Sequence, residues 1–304
     1  MATSSLRGLD YPEFGPVYRG KVRDCYWRDT WGAIVTSDRI SAFDEVFPQL
    51  IPRKGEVLQS LAVHFLQLAQ SLVATHLLEV PDPNVMVVRR ANSLPVEFVI
   101  RQYLTGSAWR DYRDGLLHDH YGISLPSGMQ QHQRLETPII TPTTKEKDGH
   151  DRPISVTQAA QLVGGAARWQ EIEELLHALF EQGSQWAQEH DLVLVDCKYE
   201  LGLHQGALML IDELHTPDSS RYWTEASAQP RELSKEFFRQ WLLQQGATGV
   251  IDIPPEVCAE ISARYLELHQ RLLGRPLPPL SGGLEPEERI RQALQSIFEA
   301  GDRL

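Results

Sequence analysis

Residues 192–223 read LVLVDCKYELGLHQGALMLIDELHTPDSSRYW, and this stretch holds the clearest structural pattern in the chain. The pattern predicts two β-strands joined by a turn at residues 201–206. Side chains on a strand alternate between its two faces, so Asp196, Lys198 and Glu200 follow two leucines on one face, while the opposite face is apolar. A strand with this pattern leaves a core and enters a cleft.

The second strand of the predicted hairpin ends at Asp212, which strand pairing would bring near Glu200 and Lys198. Mg²⁺ takes one or two carboxylates together with substrate phosphate oxygens, so the pattern favours a site for Mg²⁺ and a polyphosphate. The alternative is a solvated charged face of an edge strand. The next segment, PDSSR, contains Asp218 and Arg221 and favours the binding site, because small polar residues beside an arginine suit anion recognition.

The composition is that of a soluble globular protein with a large core. The chain has 304 residues, 42% of them hydrophobic and 23% charged, and its length predicts two subdomains. Lys and Arg number 29 and Asp and Glu number 41, so the net charge is −12. This charge argues against nonspecific binding to nucleic acid or to an anionic membrane. Any bound phosphate therefore needs a local cluster of cations.

The cysteines and the N-terminal segment indicate the cellular setting. The three cysteines are far apart and show no CxxC spacing, which favours a reduced, cytoplasmic protein without a disulfide framework or a zinc site. The first ten residues lack the apolar segment of a signal peptide, and no apolar run approaches the ~18 residues of a membrane helix.

Residues 17–27, VYRGKVRDCYW, predict a strand, a tight turn and a second strand. Gly20 in the turn would let the backbone approach a phosphate, and Lys21 and Arg23 would supply positive charge. The GxxxxGK[ST] pattern of a P-loop is absent, and a basic hairpin without a ligand is the alternative. In the following segment, SDRISAFDEVFP, polar residues such as Ser41 either cap a loop or line a sugar or phosphate pocket.

The rest of the chain predicts an α+β fold. A helix is expected at residues 56–72, and the other elements of the first hundred residues are strands, which indicates an antiparallel β subdomain. The segment LPVEFVIRQYLTGS predicts a strand and then a helix that begins near Ser107, where the hydroxyl is either part of an anion site or an N-cap. Residues 116–137 are expected to be irregular, His150 is a candidate proton carrier, and later helices supply packing.

The residues alone predict nucleotide-dependent chemistry on an anionic small molecule, and they do not separate a kinase from a ligase. Eight segments then resemble the SAICAR synthetase (phosphoribosylaminoimidazole-succinocarboxamide synthase) family, in the family's order, over about residues 16–224. They are YRGKVRD, SDRISAFD, IPRKG, LPVEFVIRQYLTGS, TPTTK, HD-PIS, LVDCKYELG and IDE…TPDSSRYW. One departure is Cys197, where the family commonly has phenylalanine.

The resemblance implies a fold, a reaction and partners. The fold would have a small antiparallel β domain, residues 1–93, and a larger α/β domain, residues 94–304, with a kinase-like ATP cleft between them. The reaction would be the ATP-dependent condensation of 4-carboxy-5-aminoimidazole ribonucleotide (CAIR) with L-aspartate in purine biosynthesis, by way of an acyl phosphate. The expected partners are these small molecules, without nucleic acid or membrane, and the chain would act as a monomer or homodimer.

The resemblance also implies roles for individual residues. The turn with Gly20, Lys21 and Arg23 would contact the phosphates of ATP, and the adenine would lie against the segment from Ser93 to Glu97. The remaining roles are Mg²⁺ binding by Glu200 and Asp212, substrate binding by Ser41, Arg101, Ser107, Asp218 and Arg221, and catalysis by Lys145, Asp196 and Lys198.

Two other functions remain possible from the sequence. A small-molecule kinase would use the same cleft but would not need aspartate. A nucleotide-binding module without turnover is the second alternative, and the simultaneous presence of Lys21, Lys198, Glu200 and Asp212 argues against it.

Overall fold

A computed structural model describes residues 5–146, 151–279 and 284–300 of the chain, so His150 lies outside the described residues. The chain divides into two compact units. Unit 1 comprises Met1–Gln67, His76–Arg90 and Leu233–Leu304, and unit 2 comprises Leu68–Thr75 and Ala91–Glu232. The units differ from the predicted domains 1–93 and 94–304, because the C-terminal helices group with the N-terminal strands.

The strands are β1 (Val17–Arg19), β2 (Arg23–Trp27), β3 (Trp31–Thr36), β4 (Arg39–Ala42), β5 (Glu45–Leu50), β6 (Ala74–Thr75), β7 (Leu77–Asp82), β8 (Val85–Arg89), β9 (Asn92–Tyr103), β10 (Arg134–Thr144), β11 (Val193–His204), β12 (Ala207–Ile211) and β13 (Ser220–Trp223). The α-helices are α1 (Lys54–Ala69), α2 (Gly106–Arg113), α3 (Leu117–Tyr121), α4 (Val156–Leu162), α5 (Ala166–Glu189), α6 (Glu236–Gln244), α7 (Pro255–Leu273) and α8 (Pro286–Glu299).

Unit 1 is built on an antiparallel sheet with the strand order β1-β2-β3-β8-β7. Its core includes the buried side chains of Tyr26 and Val35 from this sheet, together with Ile290 and Leu294 from α8. The two α8 residues are four positions apart, as in the apolar stripe of an amphipathic helix. This stripe explains why the end of the chain belongs to unit 1.

Unit 2 is built on a sheet with the strand order β10-β9-β11-β12-β6, and β13 also pairs with β11. The pairs are antiparallel except for β12 with β6, which is parallel. One face of the sheet packs on α5, where the Phe98 ring lies 6.1 Å from that of Trp169. Because one face is apolar and helix-covered, the polar residues of the central strands occupy the other face.

The hairpin predicted at residues 192–223 is present, with a tighter turn than expected. Strand β11 continues to His204, and the turn consists of Gln205 and Gly206, with φ angles of 52° and 83°. Two residues with positive φ make the turn type whose twist matches that of the flanking strands. Residues 116–137 are less irregular than predicted, since they contain α3 and the start of β10.

Within the part of the chain that the structure describes, no helix is long and apolar enough to span a membrane. All three cysteines lie among the described residues and none forms a disulfide; Cys25 and Cys197 are buried and Cys258 is partly exposed.

Candidate active site

Strands β9 and β11 place most of the predicted site residues on one face of the unit 2 sheet, here called the site face. The strands pair antiparallel, with Glu97 opposite Glu200 and Arg101 opposite Asp196. Period-two alternation puts these residues and Lys198 on the same face. At ~3.3 Å per residue, the four positions from Glu97 to Arg101 separate the two ends of the site face by roughly 13 Å.

Lys198 lies among three carboxylates at the first end. Its Nζ is 2.5 Å from Glu200 Oε1, 3.3 Å from Glu97 Oε1 and 3.6 Å from Asp212 Oδ2. Lys145, which directly follows β10, contacts the other carboxylate oxygen of Glu200. These five residues form the carboxylate–lysine cluster. Its three carboxylates and two ammonium groups leave a formal charge of −1.

The proximity of these charges changes their pKa values. Burial alone would lower the pKa of Lys198, but the carboxylates of Glu200, Glu97 and Asp212 outweigh burial and raise it well above its ordinary value. Burial alone would raise the pKa of Glu200, but the ammonium groups of Lys198 and Lys145 lower it. Burial raises the pKa of Glu97, against the opposing effect of Lys198. Lys198 and Glu200 are therefore both charged at neutral pH.

The two predicted metal ligands face the same ammonium group, and both provide the oxygen ligands that Mg²⁺ prefers. Within residues 5–146, 151–279 and 284–300, no group of three or more His, Cys, Asp or Glu side chains is arranged to hold a metal ion. Glu200 and Asp212 supply two carboxylates, the number that Mg²⁺ commonly takes from a protein while its other ligands are water and substrate phosphate. Asp212 has a φ of 63°, an uncommon backbone conformation that occurs often at functional sites.

Ser93 belongs to the same end of the site face. Lys145 Nζ donates a hydrogen bond to Ser93 Oγ over 3.1 Å, and Ser93 is exposed on β9. The two residues expected beside adenine, Ser93 and Glu97, are thus both associated with the carboxylate–lysine cluster.

Two arginines converge on Asp196 at the other end of the site face. Arg101 Nη1 lies 3.1 Å and Arg221 Nη1 2.5 Å from Asp196 Oδ2. Arg101 Nη2 also donates to Ser107 Oγ over 3.0 Å. These four residues form the arginine cluster, and its two guanidinium groups and one carboxylate give it a formal charge of +1. The structure thus brings together Arg101, Ser107 and Arg221, three of the five residues expected to bind substrate.

Arg101 is held by more contacts than the sequence indicated. Its Nε donates to Thr141 Oγ1 over 2.8 Å, and Thr141 donates in turn to the carbonyl of Val99 over 3.2 Å. Burial lowers the pKa of Arg101, and the charge of Asp196 opposes that effect. Thr141 could not be identified from the sequence, because its position beside Arg101 depends on the pairing of β9 with β10.

Helix α2 begins directly beside the arginine cluster. Ser107 is its second residue and does not cap the helix, since Thr105 is the N-cap residue. Gly106 has a φ of 59°, and a Cβ atom there would lie 2.5 Å from Arg221 Nη2. Glycine therefore suits this position, because it adopts the backbone conformation readily and leaves the space that the Arg221 guanidinium occupies.

The loop before β13 is organised by Thr216. Its Oγ1 donates to Glu213 Oε2 over 2.5 Å and accepts hydrogen bonds from the amides of Asp218 and Ser219 at 3.2 and 3.3 Å. Asp218 is thus fixed through its backbone, and its half-buried side chain lies in the loop that links Asp212 to β13.

The remaining predicted site residues lie in unit 1. The Gly20 amide donates to the carbonyl of Arg23 over 2.8 Å and closes the turn between β1 and β2. Lys21 is exposed in this turn and forms an ion pair with Asp44. Ser41 is buried in β4.

A family model described as SAICAR synthetase matches residues 16–252 of the chain. The chain belongs to the SAICAR synthetase family. A curated relative from Cytophaga hutchinsonii, named phosphoribosylaminoimidazole-succinocarboxamide synthase, is 40% identical over 297 residues, which cover 93% of this chain and 94% of the relative. A relative with the same name from Legionella pneumophila is 39% identical over 279 residues, which cover 86% of this chain and 88% of the relative.

Solved structures of SAICAR synthetases share the fold. One is a SAICAR-synthase from Saccharomyces cerevisiae complexed with SAICAR, with a TM-score of 0.78, 30% identity, and coverage of 91% of this chain and 100% of that chain. Another, a SAICAR synthetase (Type-2) in complex with ADP, has a TM-score of 0.68 and 25% identity, and covers 87% of this chain and 100% of that chain. The predicted family, α+β fold and class of enzyme, an ATP-dependent carbon–nitrogen ligase, are confirmed.

Proposed function

We propose that the site face of unit 2 catalyses the reaction of the SAICAR synthetase family. CAIR and L-aspartate are condensed to SAICAR, with conversion of ATP to ADP and phosphate, as a step of purine biosynthesis. The observation that supports this most directly is the separation of two clusters of opposite charge on one sheet face. The positive cluster suits a substrate phosphate, and the acidic cluster with its lysines suits magnesium and the reacting phosphoryl group.

The arginine cluster binds the phosphate of CAIR in this proposal. Arg101 and Arg221 pair with its oxygens, and the hydroxyl of Ser107 lies beside them at the start of α2. Asp196 acts as a positioning residue, because its Oδ2 accepts hydrogen bonds from both guanidinium groups. The proposal thus gives Asp196 a positioning role in place of the catalytic role that the resemblance implied.

The chemical step must convert a carboxylate, which is a poor electrophile, into a reactive acyl group. The CAIR carboxylate attacks the γ-phosphorus of ATP, the bond from that phosphorus to the bridging oxygen breaks, and ADP leaves. The amine of aspartate then attacks the acyl phosphate carbon, phosphate departs, and the amine loses a proton. Lys198 and Lys145 offset the negative charge that accumulates on the phosphoryl oxygens.

Glu200 and Asp212 are the proposed magnesium ligands. When bound, the ion would neutralise phosphate charge and align the triphosphate. Lys21 in the unit 1 turn, together with Gly20 and Arg23 of the same segment, is proposed to bind nucleotide phosphate. Ser93 and Glu97 are proposed to bind the nucleotide, and Ser41 and Asp218 to bind substrate. The interdomain ATP cleft, the monomeric or dimeric state and the cytoplasmic location stay predictions.

The decisive test measures ADP release in a coupled assay with ATP, Mg²⁺ and CAIR, with L-aspartate present in one reaction and omitted from the other. The proposal expects sustained ADP release only when aspartate is present, and SAICAR as the product. Equal ADP release without aspartate would instead identify a small-molecule kinase. Absence of turnover in both reactions, with nucleotide still bound, would identify a binding module.

A further inference from the structure

Three consecutive backbone carbonyls of the turn between β1 and β2 accept hydrogen bonds from two residues, Ser37 and Arg39. Arg39 Nη2 donates to the carbonyl of Gly20 over 3.1 Å, and Arg39 Nε donates to that of Lys21 over 3.1 Å. The carbonyl of Val22 accepts from the Ser37 amide at 2.9 Å and from Ser37 Oγ at 2.7 Å. Ser37 and Arg39, which follow β3, are here called the carbonyl clamp.

The planarity of the peptide bond determines where the turn amides point. In a trans peptide the C=O of one residue and the N–H of the next are antiparallel. Because the clamp holds the carbonyls of Gly20 and Lys21 on its own side, the N–H groups of Lys21 and Val22 point to the opposite side. Successive N–H groups directed into one concavity form an anion-binding site.

We propose that Arg39, assisted by Ser37, is a positioning residue for nucleotide phosphate. It acts by orienting the amides of Lys21 and Val22, and it does not contact the phosphate itself. The inference rests on the proposed role of the Lys21 turn in nucleotide binding and names the residues that shape that turn.

Arg39 is well suited to this role because it is itself fixed. Its guanidinium donates to both oxygens of Asp24 at 2.8 and 3.2 Å and to the carbonyl of Arg7 at 2.6 Å. The side chain is buried. A Cβ atom at Gly8, where φ is 134°, would lie 2.1 Å from Arg39 Nη1, so the backbone passes directly against the guanidinium. A lysine has no planar fork with which to make these bonds together.

The test compares Arg39→Lys and Ser37→Ala with the wild type and with Arg19→Lys as a matched control. Arg19 also contacts Asp24 and donates to a carbonyl, that of Leu9, which lies outside the turn. Calorimetry with MgADP, at a temperature below the melting temperature of every variant, gives the dissociation constant. Arg39→Lys should weaken binding by about 10-fold and Ser37→Ala by about 3-fold, from the usual strengths of charged and neutral hydrogen bonds.

Steady-state kinetics distinguish a positioning role from a purely structural one, because a general loss of structure would not raise the KM for one substrate alone. The KM for ATP should rise in both clamp variants while the KM for CAIR stays unchanged, and Arg19→Lys should match the wild type. If Arg39→Lys does not fold, Ser37→Ala decides, because it retains the Arg39–Asp24 pair. Unchanged MgADP binding in the folded clamp variants, together with weakened binding in Lys21→Ala, would overturn the positioning role of Arg39 and Ser37. Unchanged binding in Lys21→Ala would overturn the proposal that the Lys21 turn binds nucleotide phosphate, and the positioning role with it.

Discussion

At the scale of single residues, the roles of the site side chains follow from their partners. Asp196 and Glu200 are both buried carboxylates of β11, yet one lies between two guanidinium groups and the other between two ammonium groups. Guanidinium groups stay charged and bind oxygens in a fixed geometry, whereas ammonium groups are compact charges that rotate freely. In the proposed function, the same kind of acid therefore belongs to a phosphate-binding region in one case and to a reacting region in the other.

Asp212→Asn should lower turnover by about 10²–10³-fold, the usual cost of losing positioned charge stabilisation in the transition state. Asparagine tolerates the positive φ of this position, so the melting temperature of the ligand-free protein should change little. The variant should also reduce the thermal shift produced by MgATP, because the stabilisation that a ligand gives decreases when its affinity for the folded state falls. Asp196→Asn is the contrasting variant and should keep this shift. Near-normal turnover of Asp212→Asn at low Mg²⁺ would contradict the assignment.

Arg101→Ala should raise the KM for CAIR far more than the KM for ATP, because it removes one of the two guanidinium groups of the phosphate site. Arg152→Ala is a matched control, since Arg152 is an exposed arginine of the same unit and pairs with Glu146. Both KM values are measured by the ADP assay. Equal increases for the two substrates in Arg101→Ala would refute the proposed phosphate site.

At the scale of elements, helix α2 and strand β13 meet at the arginine cluster. The first residue of α2 is Gly106, and its missing side chain leaves the space that the Arg221 guanidinium occupies. The position of Arg221 on β13 is set by its register opposite Asp196 on β11. The site therefore depends on a backbone position that has no side chain.

Gly106→Ala should displace Arg221 and raise the KM for CAIR. Gly115→Ala, just after α2, provides the matched control. It imposes the same positive-φ penalty, at a φ of 76°, but nothing lies within 4 Å of its added Cβ. A left-handed conformation costs a non-glycine residue roughly 1–2 kcal/mol, so both variants should lose stability, and only Gly106→Ala should lose affinity for CAIR. Kinetics and thermal melts of both proteins check this, and a KM for CAIR that is equal in the two variants would exclude the proposed role.

At the scale of the whole molecule, each unit buries a neutral histidine. In unit 2, His215 Nε2 lies 2.7 Å from the hydroxyl of Tyr199, and burial lowers its pKa to about 3. In unit 1, His269 Nε2 lies 2.9 Å from Ser60 Oγ, and burial, with the charges of Arg275 and Arg53, lowers its pKa to about 4. Both histidines are thus neutral in the folded protein at pH values where an unfolded chain would protonate them.

The free energy of unfolding should therefore fall as the pH drops below about 6.5, the pKa of an unperturbed histidine. Between that pH and the folded pKa, the unfolded chain binds more protons than the folded one, so each histidine contributes a slope of at most ~1.4 kcal/mol per pH unit. Denaturant titrations between pH 6.5 and 5, above the range in which most carboxylates titrate, measure the slope. The double variant His215→Asn/His269→Gln should show a flatter profile, and an unchanged slope would disprove the explanation.

The sequence by itself determined the elements and the faces that they present. Period-two alternation in residues 192–200 placed Asp196, Lys198 and Glu200 together, and the proximity of Asp212 followed from a hairpin that is local in the chain. Helical spacing likewise identified α1. The collinear motifs identified the family, because they record residue types that local physical patterns do not explain.

Only the tertiary structure decided which distant segments meet. The pairing of Arg101 with Asp196 joins strands 95 positions apart, and nothing local to either strand specifies that register. For the same reason, the sequence did not show that Ser107 contacts Arg101, or that Arg39 holds the carbonyls of the Lys21 turn. Local periodicity is set by backbone geometry, whereas side-chain partners depend on long-range packing, in which each contact is possible only when the rest of the fold is formed.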